Sequence, residues 1–349
     1  MNELIPEPQQ SRHMYKISSI DRLLVIFAIL LLAFCLILIA GFRPIGFDRD
    51  SLQYLELYND FNDLNSSNYL DKEPSLWIII YLSKLISNDS VRPFILIYSI
   101  LEITIIILSF NKLTHYSLVA LICFTLIYFP LHTMTQIRVG VSCAIFLLAI
   151  PDIVDRKGKR FIVKALLATA FHYSAVVIFF AYLIKSKNIS KRLYMLLPLV
   201  GIIFSLFNDL FLSVLSFSAS LMPAIFSTKL QIYIALLNMG VGEGINFLSI
   251  YYLGLFCVYY FVILNLSKFD SAYNIIFIKL LGWALFVYYT MSFLPVIAFR
   301  ISEILGMSII FIIPSILYRF KKNAIVVISF FLYIAVVFFN NVFVHKLFN

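Results

Sequence analysis

Four basic side chains in otherwise apolar surroundings are the first residues that could do chemistry. Arg43 follows one long apolar run, Arg138 opens another, Arg300 lies in PVIAFRISEIL, and His172 stands in FHYS. Arginine presents a rigid fork of donors that pairs bidentately with phosphate. Three such forks suit a phosphate or pyrophosphate. An imidazole, with an unperturbed pKa of about 6.5, suits proton abstraction from a hydroxyl. A further set occupies FDRDSLQYLELY, where Asp48 and Asp50 precede Tyr54 and Tyr58. The two tyrosines are four apart, so they share a face of a helix. Flat rings beside carboxylates suit a sugar. Each feature also has a plainer use: arginines snorkel to lipid headgroups, tyrosines form interfacial belts, and a lone histidine is commonly a hydrogen-bonded structural group.

The elements that must hold these residues are set by composition. Of 349 residues, 62% are hydrophobic and only 13% charged, and the mean hydropathy is +0.96. Soluble domains average about 45–50% apolar and about 25% charged. A soluble globular chain and a disordered one are both excluded. The fold class expected is an all-α polytopic integral membrane protein in one transmembrane domain over 1–349. The basic excess, +9, sits in short loops between apolar runs. The positive-inside rule accounts for it there, and no nucleic-acid partner is expected. The four cysteines lie inside apolar runs without metal-ligand or CxxC spacing, as inert thiols would.

Apolar runs cover 23–42, 94–110, 116–131, 136–151, 161–184, 193–213, 246–266, 273–294, 301–318 and 324–344, with a shorter run at 75–87 that carries Lys84. About 9–11 transmembrane helices follow. The N-terminal tail 1–22 and the basic loops 155–160, 185–192 and 319–322 belong in the cytoplasm. The loop 43–74, with seven acidic residues against three basic ones, belongs outside, as does 214–245. Parity then requires that 75–87 not cross; it reads as an interfacial or re-entrant helix. The run 161–184 has basic loops at both ends. Either it is one long helix that violates the charge rule, or two short helices meeting at Phe171–Ser174 with His172 at the apex. Irregular backbone at membrane depth must be buried in protein or line a cavity, so the hairpin puts His172 on a polar cavity. Arg43, Arg138 and Arg300 then stand on the outer side, where the charge rule disfavours them. Glu73–Pro74 suits the start of a helix, Glu303 is spaced to hold Arg300, and Glu102 and Lys279 are mid-span, as a buried pair or along a path. His115 and His132 fall at span ends, as interface residues would.

The motifs, taken together, resemble the EpsG/Wzy family of bacterial polysaccharide polymerases. They are Arg43, Gly46, Asp48, Asp50 and Tyr54 in the first loop; Glu73–Pro74; Ile137, Arg138 and Gly140; the basic DRKGKR loop; Ala168, Phe171, His172, Ser174 and Ala175; and Arg300 to Glu303. The likeness spans about residues 40–305, and the IR and FH pieces are its most specific part. It implies a metal- and nucleotide-independent membrane glycosyltransferase in the bacterial cytoplasmic membrane, its active site facing the periplasm or exterior. The enzyme would move a growing glycan from its undecaprenyl diphosphate carrier onto the nonreducing end of an incoming lipid-linked repeat. Arg138 and Arg300, with Arg43, would take the donor diphosphate, and His172 would deprotonate or orient the acceptor hydroxyl. Asp48, Asp50 and Tyr54 would bind sugar. The partners implied are the lipid-linked oligosaccharide, the bilayer, a chain-length regulator and a flippase, with no cofactor or metal.

Three other readings use the same residues. A flippase for the lipid-linked unit usually has more spans in two pseudo-symmetric halves, and no halves are visible. An O-antigen ligase shares the donor but usually carries a larger late loop than 214–245. An acyltransferase on sugars also suits many spans with arginine and histidine. No Walker loop, HExxH or GxSxG is present, which removes the usual ATP-driven, metalloprotease and hydrolase signatures.

Overall fold

The computed structural model describes residues 19–61, 72–219, 245–344 and 347–348, with 227, 231, 232 and 235. Most of the N-terminal tail, residues 62–71 of the first expected loop and most of 220–244 in the second lie outside the described residues. Among the described residues every element is helical, apart from one isolated bridge between Asp48 and Phe348.

The helices run α1 Ser19–Phe42, α2 Ser51–Asn59, α3 Pro74–Ile86, α4 Arg92–Leu113 and α5 Ser117–Ile127, then α6 Ile137–Val154, α7 Gly158–Phe171 and α8 Ile178–Ala181. There follow α9 Lys191–Phe204, α10 Asn208–Ala219, α11 Ile250–Leu264, α12 Ala272–Thr290, α13 Pro295–Gly306, α14 Ile309–Arg319 and α15 Ala324–Phe339. The chain is an all-α polytopic membrane protein. Six helical stretches are long and apolar enough to cross a membrane, and α13 with α14, bent by 43° at their junction, make a seventh. Every apolar run expected to cross is helical, but two of them are short. Run 116–131 becomes α5, 11 residues, because a π-helical turn at Pro130–Thr135 divides it. Run 246–266 becomes α11, 15 residues, stopped at Asn265.

The core is built around α6, which packs between α4 and α7. Its span is 83% buried, whereas that of α1 is 17% buried, so α6 is the axis and α1 a lipid-facing outrigger. The α4–α6 contact depends on Gly140: a Cβ there would come within 2.6 Å of both carboxylate oxygens of Glu102. A second layer is α9 against α12, with α13 closing over α12.

The run 161–184 is a hairpin, broken where the charge pattern requires. α7 ends at His172, whose backbone is extended at φ −155°, ψ 125°. The chain returns through a 3-10 turn, Tyr173–Val177, and α8. The two arms begin at the same end of the bundle: the rings of Phe161 and Tyr182 lie 4.9 Å apart, and Arg156 donates to the carbonyls of Tyr182 and Ile184. A break inside a membrane protein frees backbone groups that need partners. Here Ser142 Oγ donates to the Ala168 carbonyl at 2.8 Å, and the Tyr173 amide points at Glu73 Oε1 at 3.4 Å. The apex is thereby fixed to α6 and to the start of α3.

The mid-span Glu102 and Lys279 are not a pair. Lys279 donates to the carbonyls of Lys185, Lys187 and Asn188, while Glu102 is fully buried beside Gly140.

Candidate functional site

The hairpin break brings His172 to α6 and α3 at once. Glu73, the residue before Pro74 at the first position of α3, is 4% exposed and takes three partners. Its Oε2 accepts from the guanidinium of Arg138, the second residue of α6. Its Oε1 lies 2.8 Å from His172 Nδ1 and receives the Tyr173 amide. A carboxylate against Nδ1 selects the tautomer with the proton on Nδ1 and leaves Nε2 as an acceptor. Burial alone would push the Glu73 carboxyl up; the contacts from His172 and then the charge of Arg138 outweigh it and hold the carboxyl at about 2, below the ordinary 4.5. Glu73 is therefore ionised throughout the physiological range.

Arg138 is held from the other side by an aromatic face: its guanidinium lies 5.9 Å from the centre of the Tyr54 ring. Its Nε is buried and unpaired within the protein, a donor left over after Glu73 is satisfied. Tyr54 and Tyr58 do share a face of α2, as their spacing predicts, but both are buried and lean on Phe94.

Arg300, on α13, reaches the same region from the opposite wall. α13 packs against the 3-10 turn that follows His172. Its guanidinium donates to Gln136 Oε1, two residues before Arg138. The expected i,i+3 hydrogen bond with Glu303 is not the one made; the fork turns across to Gln136, at the start of α6. Glu303 instead lines the same cavity, of about 330 Å³, with Arg49, Asp50, Gln136, Tyr252 and Arg300. The charges of Arg300 and Arg138 both bear on Asp50 and on His172. Burial raises the Asp50 carboxyl above its ordinary value, and Arg300 pulls it back. The wall behind is aromatic: Tyr252 stacks on Tyr288 with centroids 3.4 Å apart, and the Tyr128 and Tyr251 hydroxyls meet at 2.5 Å.

The last described residues also reach this cavity. Leu347 and Asn341 line it, and Phe348 stacks on Phe47 at 4.9 Å while bridging Asp48.

Of the residues singled out in the sequence, the structure puts Asp50 and Arg300 in the cavity wall and gathers His172, Arg138 and Tyr54 around Glu73 beside it. Those three do not line the cavity, and neither do Arg43 and Asp48. The latter two bind each other, Nε to Oδ2 at 2.7 Å, and are 3% and 1% exposed. Asp48 Oδ1 also accepts the amides of Asp50 and Ser51, and Arg43 donates to the Ala40 carbonyl. Gly46, at φ +85°, makes the turn between them, a conformation glycine adopts without strain. Two site residues escape sequence reasoning. Glu73 was visible as a helix-start residue, but nothing local links it to positions 65 and 99 residues away. Gln136 carries no motif signal at all. His132, expected at an interface, is fully buried in the π-helical turn against Tyr128. Among the described residues no three His, Cys, Asp or Glu side chains are grouped to hold a metal ion.

The arrangement offers an imidazole beside a carboxylate, one arginine next to them and a second in the wall of an adjoining aromatic-walled polar cavity. A family model described as the EpsG family matches residues 26–349. No curated protein and no solved structure matches the chain.

Proposed function

This chain belongs to the EpsG family, and from that premise we propose that it is a membrane glycosyltransferase that polymerises undecaprenyl-diphosphate-linked oligosaccharide repeats. It transfers the growing glycan from its lipid diphosphate to the nonreducing end of an incoming lipid-linked repeat. The observation that carries this reading is the Glu73–His172 contact set beside two arginines at a break in a membrane-embedded hairpin.

The step is a single displacement. The acceptor hydroxyl oxygen attacks the anomeric carbon, the bond from that carbon to the diphosphate oxygen breaks, and undecaprenyl diphosphate leaves with the electron pair. His172 Nε2 takes the hydroxyl proton, and Glu73 stabilises the imidazolium that forms. Arg138, through its unpaired Nε, and Arg300, by exchanging Gln136 for an anionic oxygen, hold the diphosphate as its charge grows. Inversion at the anomeric carbon follows. Asp50 and the tyrosines of the wall bind the sugar hydroxyls and faces, and Arg43 with Asp48 keeps the loop that carries Asp50 in shape.

Sidedness follows the charge rule. The loops 155–160, 185–192 and 319–322 are cytoplasmic, so the hairpin enters from the cytoplasm and its apex points to the outer half of the membrane. The donor is met at the outer leaflet of the cytoplasmic membrane, after a flippase has delivered it, with a chain-length regulator acting on the product. The single transmembrane domain supplies every side chain invoked.

The test is a gel of surface glycan beside extracted lipid-linked oligosaccharide from a deletion strain, complemented with wild type or Arg138→Ala. The expected result is a ladder that collapses to one repeat unit and is restored by wild type alone. An unchanged ladder that lacks a substituent would mean acyl transfer. Units trapped inside would mean a flippase, and whole chains trapped outside a ligase.

A further inference from the structure

A second cavity, of about 720 Å³, opens between the returning arm of the hairpin and the α9–α12 layer. Its walls are Phe180 and Leu183 from the hairpin, Trp283 and Val287 from α12, and Leu305 from α13. Phe180 and Leu183 are 68% and 74% exposed, so the cavity is open toward whatever surrounds the bundle. In a membrane protein that is lipid. Every charged side chain lining it is a lysine: Lys185, Lys187 and Lys279.

The three lysines do different things. The Lys279 ammonium is committed to the protein, donating to the carbonyls of Lys185, Lys187 and Asn188 at 2.7, 3.2 and 2.8 Å. It pins the basic loop over the cavity's end. Asn188 sits at φ +48° within that loop, a left-handed conformation that asparagine tolerates better than most residues. Lys185 and Lys187 are exposed and stand at the mouth. An apolar slot with a rim of one sign is the arrangement that captures an anionic amphiphile, and basic pockets between membrane helices are read in this way.

We propose that this cavity seats an acyl chain of an anionic phospholipid whose phosphate lies on Lys185 and Lys187. The rim is at the base of the hairpin, beside Tyr182 and Ile184, at the end opposite the His172 apex. A polyprenyl diphosphate bound at Arg138 and Arg300 has its own phosphates at the wrong end to meet these lysines. A zwitterionic lipid brings the same phosphate with a cation attached, so its head group has no net charge to match the rim. The seat has a mechanical use. Val177, five residues after His172, and Leu305, five after Arg300, both line it. An acyl chain there packs against the returning arm and α13 together, and so braces the two elements that carry the base and one arginine. The proposal stands on the cavity and its rim and does not depend on the polymerase reading.

The experiment is native mass spectrometry of the full chain purified from nanodiscs of equal phosphatidylglycerol and phosphatidylcholine, in wild type, in the double variant Lys185→Gln/Lys187→Gln, and in Val287→Trp. Phosphatidylglycerol is expected to be retained over phosphatidylcholine. A basic residue near an anionic headgroup changes partitioning by about five-fold, so the double variant is expected to lose about 25-fold. Phosphatidylcholine retention should not move. Val287→Trp fills the slot and should lower retention of both lipids. Should Val287→Trp fail to fold, the surface double variant still decides the matter, with equal helicity by circular dichroism as its control. Equal retention of the two lipids by wild type would overturn the proposal. So would unchanged phosphatidylglycerol retention in the double variant. A polyprenyl diphosphate retained in place of phospholipid, and indifferent to the double variant, would assign the cavity to the substrate's tail instead.

Discussion

Two arginine–carboxylate pairs flank this site, and they do opposite jobs. Arg43 and Asp48 are five residues apart, and both are almost wholly buried. Every direction Asp48 offers is taken up locally, by the Arg43 guanidinium and by the amides of Asp50 and Ser51. That pair is a staple for a turn. Arg138 and Glu73 are 65 residues apart, and their carboxylate is shared with His172. Each arginine keeps one buried nitrogen without a hydrogen-bond partner, Arg43 Nη2 and Arg138 Nε, so the difference between the pairs lies in their carboxylates. The lesson is that an arginine in a membrane protein declares its use by what its partner has left over. A carboxylate saturated by its own loop holds shape. A carboxylate that must reach across the fold to an imidazole assembles a site.

The sharpest way to break the contrast is to substitute each arginine in turn. Arg138→Lys keeps a charge beside Glu73 but loses the fork, and is expected to lower polymer formed per folded enzyme by at least about 100-fold with little change in melting temperature. Arg43→Ala is expected to do the reverse. Leaving Asp48 buried and unpaired costs about 3–5 kcal/mol, so the melting temperature should fall while the rate per folded molecule stays near wild type. If thermal melts and the glycan gel gave these results with the two arginines exchanged, the assignment of roles would fall.

The next largest effect tests the far partner. His172→Ala should lower the rate by about 10²–10⁴-fold, the range of a lost general base. A variant that kept most of the rate, with an unmoved pH profile, would leave His172 as a structural cap. Glu73→Gln keeps the shape but removes the charge that stabilises the imidazolium, and a loss on the order of 100-fold is expected. It also gives a stability signature. The Glu73 carboxyl is held at about 2 against an ordinary 4.5, so its depressed pKa contributes stability that is fully present above about pH 4.5 and is lost as pH falls toward 2. The gap in melting temperature between wild type and Glu73→Gln should therefore narrow below pH 4.5. A gap that stayed constant into acid would mean the carboxylate's partners do not favour its charge. Tyr54→Phe should change the rate only a few-fold, since the ring that faces Arg138 remains.

Much of the scaffold was legible because lipid makes it so. A run of about 20 apolar residues has few alternatives to a helix, and the runs from 23–42 to 324–344 did become helices. Even the break at His172 was legible, because two basic loops could not lie on opposite faces. The site was legible in part. His172, Arg138 and Arg300 announced themselves by charge in apolar surroundings. Gln136 could not, since an amide at a helix start has an ordinary use at every position. Arg43 and Asp48 looked like binding residues because their types suit binding; only the saturation of Asp48 shows otherwise, and saturation is a property of three dimensions. Glu102 and Lys279 show the same limit. Each is a mid-span charge, yet one meets three carbonyls and the other a glycine.

The stacking of Phe348 on Phe47, with Leu347 against the cavity, has a consequence for the order in which the protein matures. A ribosome delivers Phe47 some 300 residues before its stacking partner. Through the insertion of every later helix, the loop that carries Asp50 has one face waiting. The cavity beside Arg300 therefore gains the Leu347 side chain of its wall only after every helix from α1 to α15 has been made.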